Sequence, residues 1–167
     1  MTIEIKDSVL CEAATRGVDD FIDAIAEAIK TGVGGELSSE TMPKMSSYQI
    51  TLLGYIALRD EVMEGGFIQL IYNGYGPFFF SNPFDTAIRR WGLIDLCRLM
   101  RHVKKTYRKH REYLECELSD DEFMALYERF PEFDDYDDEF VANEEKWTEM
   151  VGRFLDEHID DFVTVIK

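Results

Sequence analysis

Apolar residues recur every three to four positions along most of this chain, which is the spacing of helices that bury one face. The clearest helix is predicted from Val18 to Ile29, and the longest from Leu93 to Leu114. No stretch keeps the two-residue alternation of a good strand. We therefore predict an all-α fold, an irregular bundle of about six to eight helices in a single domain over residues 1–167, with a short extended N-terminal arm at residues 1–6.

Three segments between these helices carry their own signals. Ser119 with Glu122 fits a capping box at the start of a short helix. The glycine-rich segment 74–83 holds three consecutive phenylalanines, is predicted to be irregular, and is expected to pack into the core. Residues 134–139 are predicted to form an acidic turn before a last helix from about Val141 to Val165.

The centre of the chain is organised around a glycine pair. Apolar residues at helical spacing run up to Val62 and resume at Phe67, so Gly65 and Gly66 are predicted to form a corner between two helices. We expect Gly65 to take the left-handed conformation of a helix C-cap and Gly66 to allow a close approach of another backbone. The amides of Gln69 and Asn73 are candidates for binding backbone groups left free at the corner.

The corner also has a distinctive sequence motif, Glu61-Val62-x-x-Gly65-Gly66-Phe67-x-Gln69 followed by Asn73. These residues resemble the core signature of the bacterial DNA mimic protein family, over roughly residues 49–103. The resemblance implies a small, acidic, helical protein that binds DNA-binding proteins through an acidic surface. It further implies a homodimer.

Charge is distributed unevenly along the chain, whose formal net charge is −16. Residues 89–111 carry 9 basic and 1 acidic residues, whereas residues 112–167, the acidic C-terminal part, carry 4 basic and 20 acidic residues. Such a balance disfavours direct binding of nucleic acid and favours a basic protein partner.

No motif for catalysis, a metal or a cofactor stands out. An EF-hand loop started at Asp135 fails, because Phe140 stands at its sixth position and Lys146 at its twelfth. The three histidines form no zinc signature, and the three cysteines are widely spaced. We therefore expect a non-enzymatic protein without cofactor. The chain shows no apolar run for a membrane span and no signal peptide at its start, so we expect no membrane association and a cytoplasmic location.

The acidic residues near the C-terminus are the candidate partner-binding surface. Four of them fall on one outer stripe of the predicted last helix: Glu145, Glu149, Asp156 and Asp160. The remaining candidates are Asp134, Asp135, Asp137, Asp138, Glu139, Glu157 and Asp161.

Three interpretations of this surface stay open. The acids form a solvated face that the basic helix 93–111 partly neutralises, or they present a phosphate-like array to a basic DNA-binding protein such as a transcription regulator. Alternatively, the chain is a toxin-neutralising immunity or adaptor protein whose acids match one dedicated basic partner.

Overall fold

A computed structural model describes residues 2–167, and most of them are helical. The α-helices are α1 (Asp7–Arg16), α2 (Val18–Val33), α3 (Ser47–Leu70), α4 (Gly76–Ser81), α5 (Phe84–Arg90), α6 (Ile94–Leu114), α7 (Asp120–Arg129) and α8 (Glu132–Glu157). The shorter elements are the strands β1 (Glu4–Lys6) and β2 (Thr164–Ile166), the 3₁₀ turns Met42–Lys44 and Ile159–Asp161, and a π-helical turn Ile71–Tyr75. The predicted all-α fold is confirmed.

The chain forms two compact units, and α3 and α8 each contribute to both. One unit contains residues 2–55 and 146–167, and the other contains residues 56–145. The expectation of a single domain over the whole chain stays a prediction.

The first unit is built around α2. Its predicted apolar face is fully buried at Ile22, Ile25 and Ile29, and α1 packs against it. The helix ends where Gly34 adopts φ 89°, and the Gly34 N–H donates to the Lys30 carbonyl oxygen at 2.9 Å. Gly34 thus ends the helix in the left-handed conformation that glycine adopts readily at a C-cap.

The two ends of the chain meet in this unit as strands. β1 pairs in parallel with β2, with Ile5 opposite Val165. Residues 4–6 of the predicted N-terminal arm are therefore extended as expected, whereas Met1 lies outside the described residues. The predicted last helix does not reach Val165, because α8 ends at Glu157. The backbone N–H and C=O groups of β2 form hydrogen bonds with β1, which takes the place of the helical hydrogen bonds that the spacing of apolar residues predicted there.

Buried polar residues hold the same unit together. The Gln49 side-chain amide donates to the Phe162 carbonyl oxygen at 2.7 Å, and its oxygen accepts from the Ser46 N–H at 2.9 Å. The hydroxyl groups of Tyr55 and Thr148 share a hydrogen bond of 2.8 Å. These three buried side chains thus have the hydrogen-bond partners that their burial requires.

The second unit corrects the expectation of an irregular segment at 74–83. Gly76–Ser81 is the helix α4, because Pro77 lies in the first turn, where an N–H is not needed. Phe79 and Phe80 are 1% and 2% exposed, so they pack into the core as predicted. The Phe79 ring meets Phe84 edge to face, with centroids 5.0 Å apart.

α6 and α7 follow their sequence patterns closely. α6 buries one stripe, Leu96, Met100, Val103, Tyr107 and Leu114, and carries the basic residues on its other faces. α7 begins with the predicted capping box: the Glu122 N–H donates to the Ser119 hydroxyl at 3.2 Å, and the Ser119 N–H donates to the Glu122 carboxylate at 3.4 Å.

α8 begins at Glu132, so the predicted acidic turn at 134–139 is wrong. Glu132, Asp134 and Asp135 lie in its first turn, where negative charge interacts favourably with the helix dipole. None of the helices within residues 2–167 is long and apolar enough to cross a lipid bilayer.

Candidate protein-binding surface

The glycine corner breaks α3 at Gly66. This residue has φ 77° and ψ −176°, a conformation that is essentially restricted to glycine. Gly65 is absent from the glycines with positive φ in the described chain, so the predicted left-handed C-cap at Gly65 is wrong. The break in the helix lies one residue later than predicted, because the chain is extended at Gly66 and does not form a C-cap turn at Gly65.

This step exposes backbone groups that two distant side chains bind. The Tyr127 hydroxyl of α7 donates to the Gly65 carbonyl oxygen at 2.7 Å, and the Phe67 N–H donates to the Asp137 carboxylate of α8 at 2.8 Å. A Cβ on Gly66 would lie 2.3 Å from the Asp137 Oδ2 atom. Glycine is thus required both by conformation and by the close approach of a carboxylate, not of a second backbone.

The remaining motif residues bind one another. The Oε2 atom of Glu61 accepts from the side-chain amide of Gln69 at 3.0 Å and from that of Asn73 at 2.9 Å. The expectation that these amides bind backbone groups is therefore wrong. Phe67 is fully buried and meets Phe140 edge to face at 6.2 Å. The sequence motif is a structural unit that fixes the restart of the helix after Gly66.

Asp137 differs from the other predicted surface acids. It is half-buried, and it follows Phe133 by four residues and precedes Phe140 by three, which places it on the inner face of α8. Its pKa is raised to about 6, chiefly by burial and in smaller part by the charges of Asp134 and Asp138, against the lowering effect of the Phe67 N–H. Its contact with the corner removes it from the candidate surface. The helical spacing of Asp137 from Phe133 and Phe140 is the sequence signal for this inner position. The signal is lost when residues 134–139 are interpreted as an acidic turn.

Exposed carboxylates lie on the outer face of α8 in each unit, three in the second unit and two in the first. The three are separated by four and seven residues and the two by seven residues, spacings that keep each group on one side of its part of the helix. Within residues 2–167 none of the five takes part in an ion pair. We call them the α8 acidic stripe: Asp134, Asp138, Glu145, Glu149 and Asp156.

The other predicted surface acids lie elsewhere. Asp135, Glu139 and Glu157 are exposed on α8 beside the stripe. Asp160 and Asp161 are exposed too, but they belong to the 3₁₀ turn after α8, so Asp160 does not continue the helical stripe as predicted.

Three cations of α6 pair with acids outside the α8 acidic stripe. Arg98 pairs with Asp95, Arg101 with Asp85 and Arg111 with Glu115, at 2.7–3.4 Å between charged atoms. In the described part of the second unit, no α6 side chain pairs with the stripe residues Asp134, Asp138 or Glu145. The basic helix therefore forms no direct ion pair with that end of the stripe.

Comparison with known proteins places the chain in a family. The profile of the "DMP19-like protein" family matches residues 43–158, more than half of the chain. The chain belongs to the DMP19-like family. The region shared with DMP19-like proteins includes the glycine corner, Asp137 and the whole α8 acidic stripe.

A relative carries a functional name. The "DNA mimic protein DMP19" of Neisseria meningitidis serogroup B (strain ATCC BAA-335 / MC58) is 28% identical over 132 residues, which is 78% of this chain and 79% of the relative. The DNA mimic resemblance inferred from the motif is thereby confirmed at the level of the family. No group of three or more His, Cys, Asp or Glu side chains in residues 2–167 is arranged to hold a metal ion.

Proposed function

We propose that this DMP19-like protein is a non-enzymatic binding protein that occupies the DNA-binding surface of a basic protein, such as a transcription regulator, and thereby excludes DNA. The observation that carries the proposal is the α8 acidic stripe, whose five carboxylates are exposed and unpaired in the described chain. Family membership supports the same class of function.

The spacing of the stripe suits this role. A helix rises by about 1.5 Å per residue, so carboxylates four residues apart are separated by roughly 6 Å along the axis. Phosphates on one DNA strand follow one another at about 3.4 Å of axial rise. Neighbouring stripe acids such as Asp134 and Asp138 therefore match about every second phosphate. A binding surface that has evolved for a phosphate backbone is expected to accept such a row.

The charge on the stripe remains available to a partner. An internal ion pair would weaken the attraction for a partner, and three cations of α6 pair with acids outside the stripe, namely Asp85, Asp95 and Glu115. Acids outside the stripe, on α8 and in the turn after it, extend the proposed surface: Asp135, Glu139, Glu157, Asp160 and Asp161.

Affinity capture from the native cell tests the proposal directly. The bound fraction at low salt is expected to contain a DNA-binding protein that is released at high salt, because exposed charges are screened within about 10 Å at 0.1 M ionic strength. The captured protein should lose its DNA in a gel-shift assay as the DMP19-like protein is added. Recovery of no DNA-binding protein would contradict the proposal.

A charge-reversal variant tests whether the position of the acids matters. Changing Glu145, Glu149, Asp156 and Asp160 to Lys is expected to weaken binding by about 100-fold or more, since several close charge pairs are lost and inverted. Stability should change little, because all four residues are exposed.

The matched control reverses four exposed acids outside the proposed surface. Glu40, Glu64, Glu112 and Glu117 are exposed and unpaired in residues 2–167, whereas Asp20 of α2 is a poor control because it pairs with Arg16 at 2.6 Å. Both variants change the net charge equally. Equal losses of affinity would mean that bulk charge suffices and that no phosphate-like array exists.

Two further expectations accompany this function. We propose that the protein acts in the cytoplasm, where its proposed partner binds DNA, and that it forms a homodimer, as the family resemblance implies. Sedimentation equilibrium at micromolar concentration tests the second expectation, and a monomeric mass would contradict it.

A further inference from the structure

A cleft of about 300 Å³ lies in the first unit, beside one end of the α8 acidic stripe. It lies where α1 ends, α2 begins and α8 passes. Val18 and Phe21, both half-buried, supply its apolar lining. The sequence does not indicate this cleft, because its three lining elements come from opposite ends of the chain.

Two glycines shape the cleft. Gly17 joins α1 to α2 with φ 129°, and no atom lies within 4 Å of the place where its Cβ would be. A Cβ on Gly152 of α8 would lie 2.3 Å from Val18 Cγ2, so α8 comes this close to α2 only because residue 152 has no side chain. The cleft is thus open above Gly17 and tightly packed at Gly152.

The charges around the cleft have one dominant sign. Glu149 and Asp156 line it from α8, both are exposed, and neither has an ion-pair partner among residues 2–167. Arg153 lies between them in sequence and also lines the cleft, yet it forms no ion pair with either at 4.0 Å or less. Two negative charges and one positive charge leave a net charge of −1 among the residues that line the cleft.

We propose that this cleft binds one arginine side chain of the basic partner, an inference that rests on the proposed function and names an anchor point within it. The aliphatic part of the arginine would lie against Val18 and Phe21, and its guanidinium would lie between Glu149 and Asp156. Arginine fits better than lysine, since a planar and weakly hydrated guanidinium stacks on an aromatic ring and binds two carboxylates at once. Buried arginines are frequent anchors of protein interfaces.

A small probe tests the cleft without the partner. N-acetyl-arginine amide is titrated into the full-length protein while backbone amide signals are followed by NMR. The signals of Val18, Phe21 and Gly152 are expected to shift together and to saturate at millimolar concentration. N-acetyl-norleucine amide, which has the apolar stem without the charge, should leave them unchanged. Equal shifts with both probes, or shifts spread over all exposed carboxylates, would overturn the proposal.

Three variants sharpen the test. Ala14 is an exposed residue of α1 that lines the cleft, so Ala14→Phe should fill the cleft without a change of charge, and saturable binding should disappear. The double variant Glu149→Gln, Asp156→Asn should abolish binding as well. Arg153→Gln removes the competing cation and should tighten binding about two- to fivefold. Unaltered probe binding in the Ala14 variant would refute the cleft as the site.

A charge-matched control variant and an affinity-capture experiment distinguish a failure of this inference from a failure of the proposed function. Glu40→Gln with Glu117→Gln, the same loss of two charges at exposed positions elsewhere, should leave probe binding unchanged. If a DNA-binding partner is captured equally well by wild type and by the Ala14→Phe variant, the cleft proposal is wrong and the proposed function stands. If the probe binds as expected but no DNA-binding protein is captured, the proposed function fails and the arginine site remains.

Discussion

Replacing Gly66 with alanine is the sharpest perturbation of the corner. Alanine at φ 77° and ψ −176° is expected to cost about 1–3 kcal/mol in backbone strain. Its Cβ would lie 2.3 Å from Asp137 Oδ2, so the carboxylate would also have to move. That movement breaks the 2.8 Å hydrogen bond from the Phe67 N–H, and a bond to a charged acceptor contributes about 1.5–3 kcal/mol.

The two effects together predict a loss of roughly 3–6 kcal/mol in the free energy of unfolding. A domain of ordinary stability has only about 5–15 kcal/mol, so the variant should be close to its limit of stability. Urea unfolding followed by far-ultraviolet circular dichroism at 25 °C measures the loss as a fall in the transition midpoint.

Gly74→Ala is the matched control. Gly74 also has a positive φ, 91°, but no atom lies within 4 Å of the place where its Cβ would be. The control should therefore show backbone strain alone, about 1–2 kcal/mol. If Gly66→Ala loses no more stability than Gly74→Ala, the carboxylate contact does not restrain the corner and the reasoning is refuted.

A second comparison isolates the clash with Asp137. In a chain that already carries Asp137→Ala, the Gly66→Ala change no longer meets a carboxylate, so its additional cost should fall to the level of the Gly74 control. A cost that is unchanged by the removal of Asp137 would show that the two sites are independent.

Two further predictions concern Asp137 and Ser119. The pKa of Asp137 rises from 3.8 to about 6 in the folded protein, so its contribution to stability is present below about pH 4 and is lost as the pH rises through 6. Asp137→Asn keeps an acceptor for the Phe67 N–H but does not titrate. Between pH 4 and pH 7.5 its free energy of unfolding, measured with urea, should therefore rise relative to that of wild type, by at most about 3 kcal/mol and by less after solvent screening. A parallel pH dependence of the two proteins would contradict this prediction. Ser119→Ala removes the side-chain acceptor of the α7 capping box and should cost about 1 kcal/mol, whereas Ser119→Asp should largely preserve stability; equal losses would show that the cap contributes nothing.

Local patterns determined most of the helices. The buried faces of α2 and α6 repeat at helical spacing within each segment, and the Ser119 to Glu122 box lies within one turn, so no distant residue is needed to recognise them. The ends of the chain were harder to predict. A strand of three residues depends on its neighbour, and β2 pairs with residues at the opposite end of the sequence.

The sequence by itself determined that a glycine pair interrupts the central helix, that the acids gather in the last third of the chain, and that the chain resembles DNA mimic proteins. Only the tertiary structure decided that Gly66 is the break, since either glycine tolerates a positive φ and the choice follows from Asp137 and Tyr127, more than sixty residues further along the chain. The structure alone also decided which acid contacts the glycine corner and which acids remain on the surface. A carboxylate becomes structural when packing places it beside an N–H without another acceptor, and that placement depends on contacts between elements far apart in sequence.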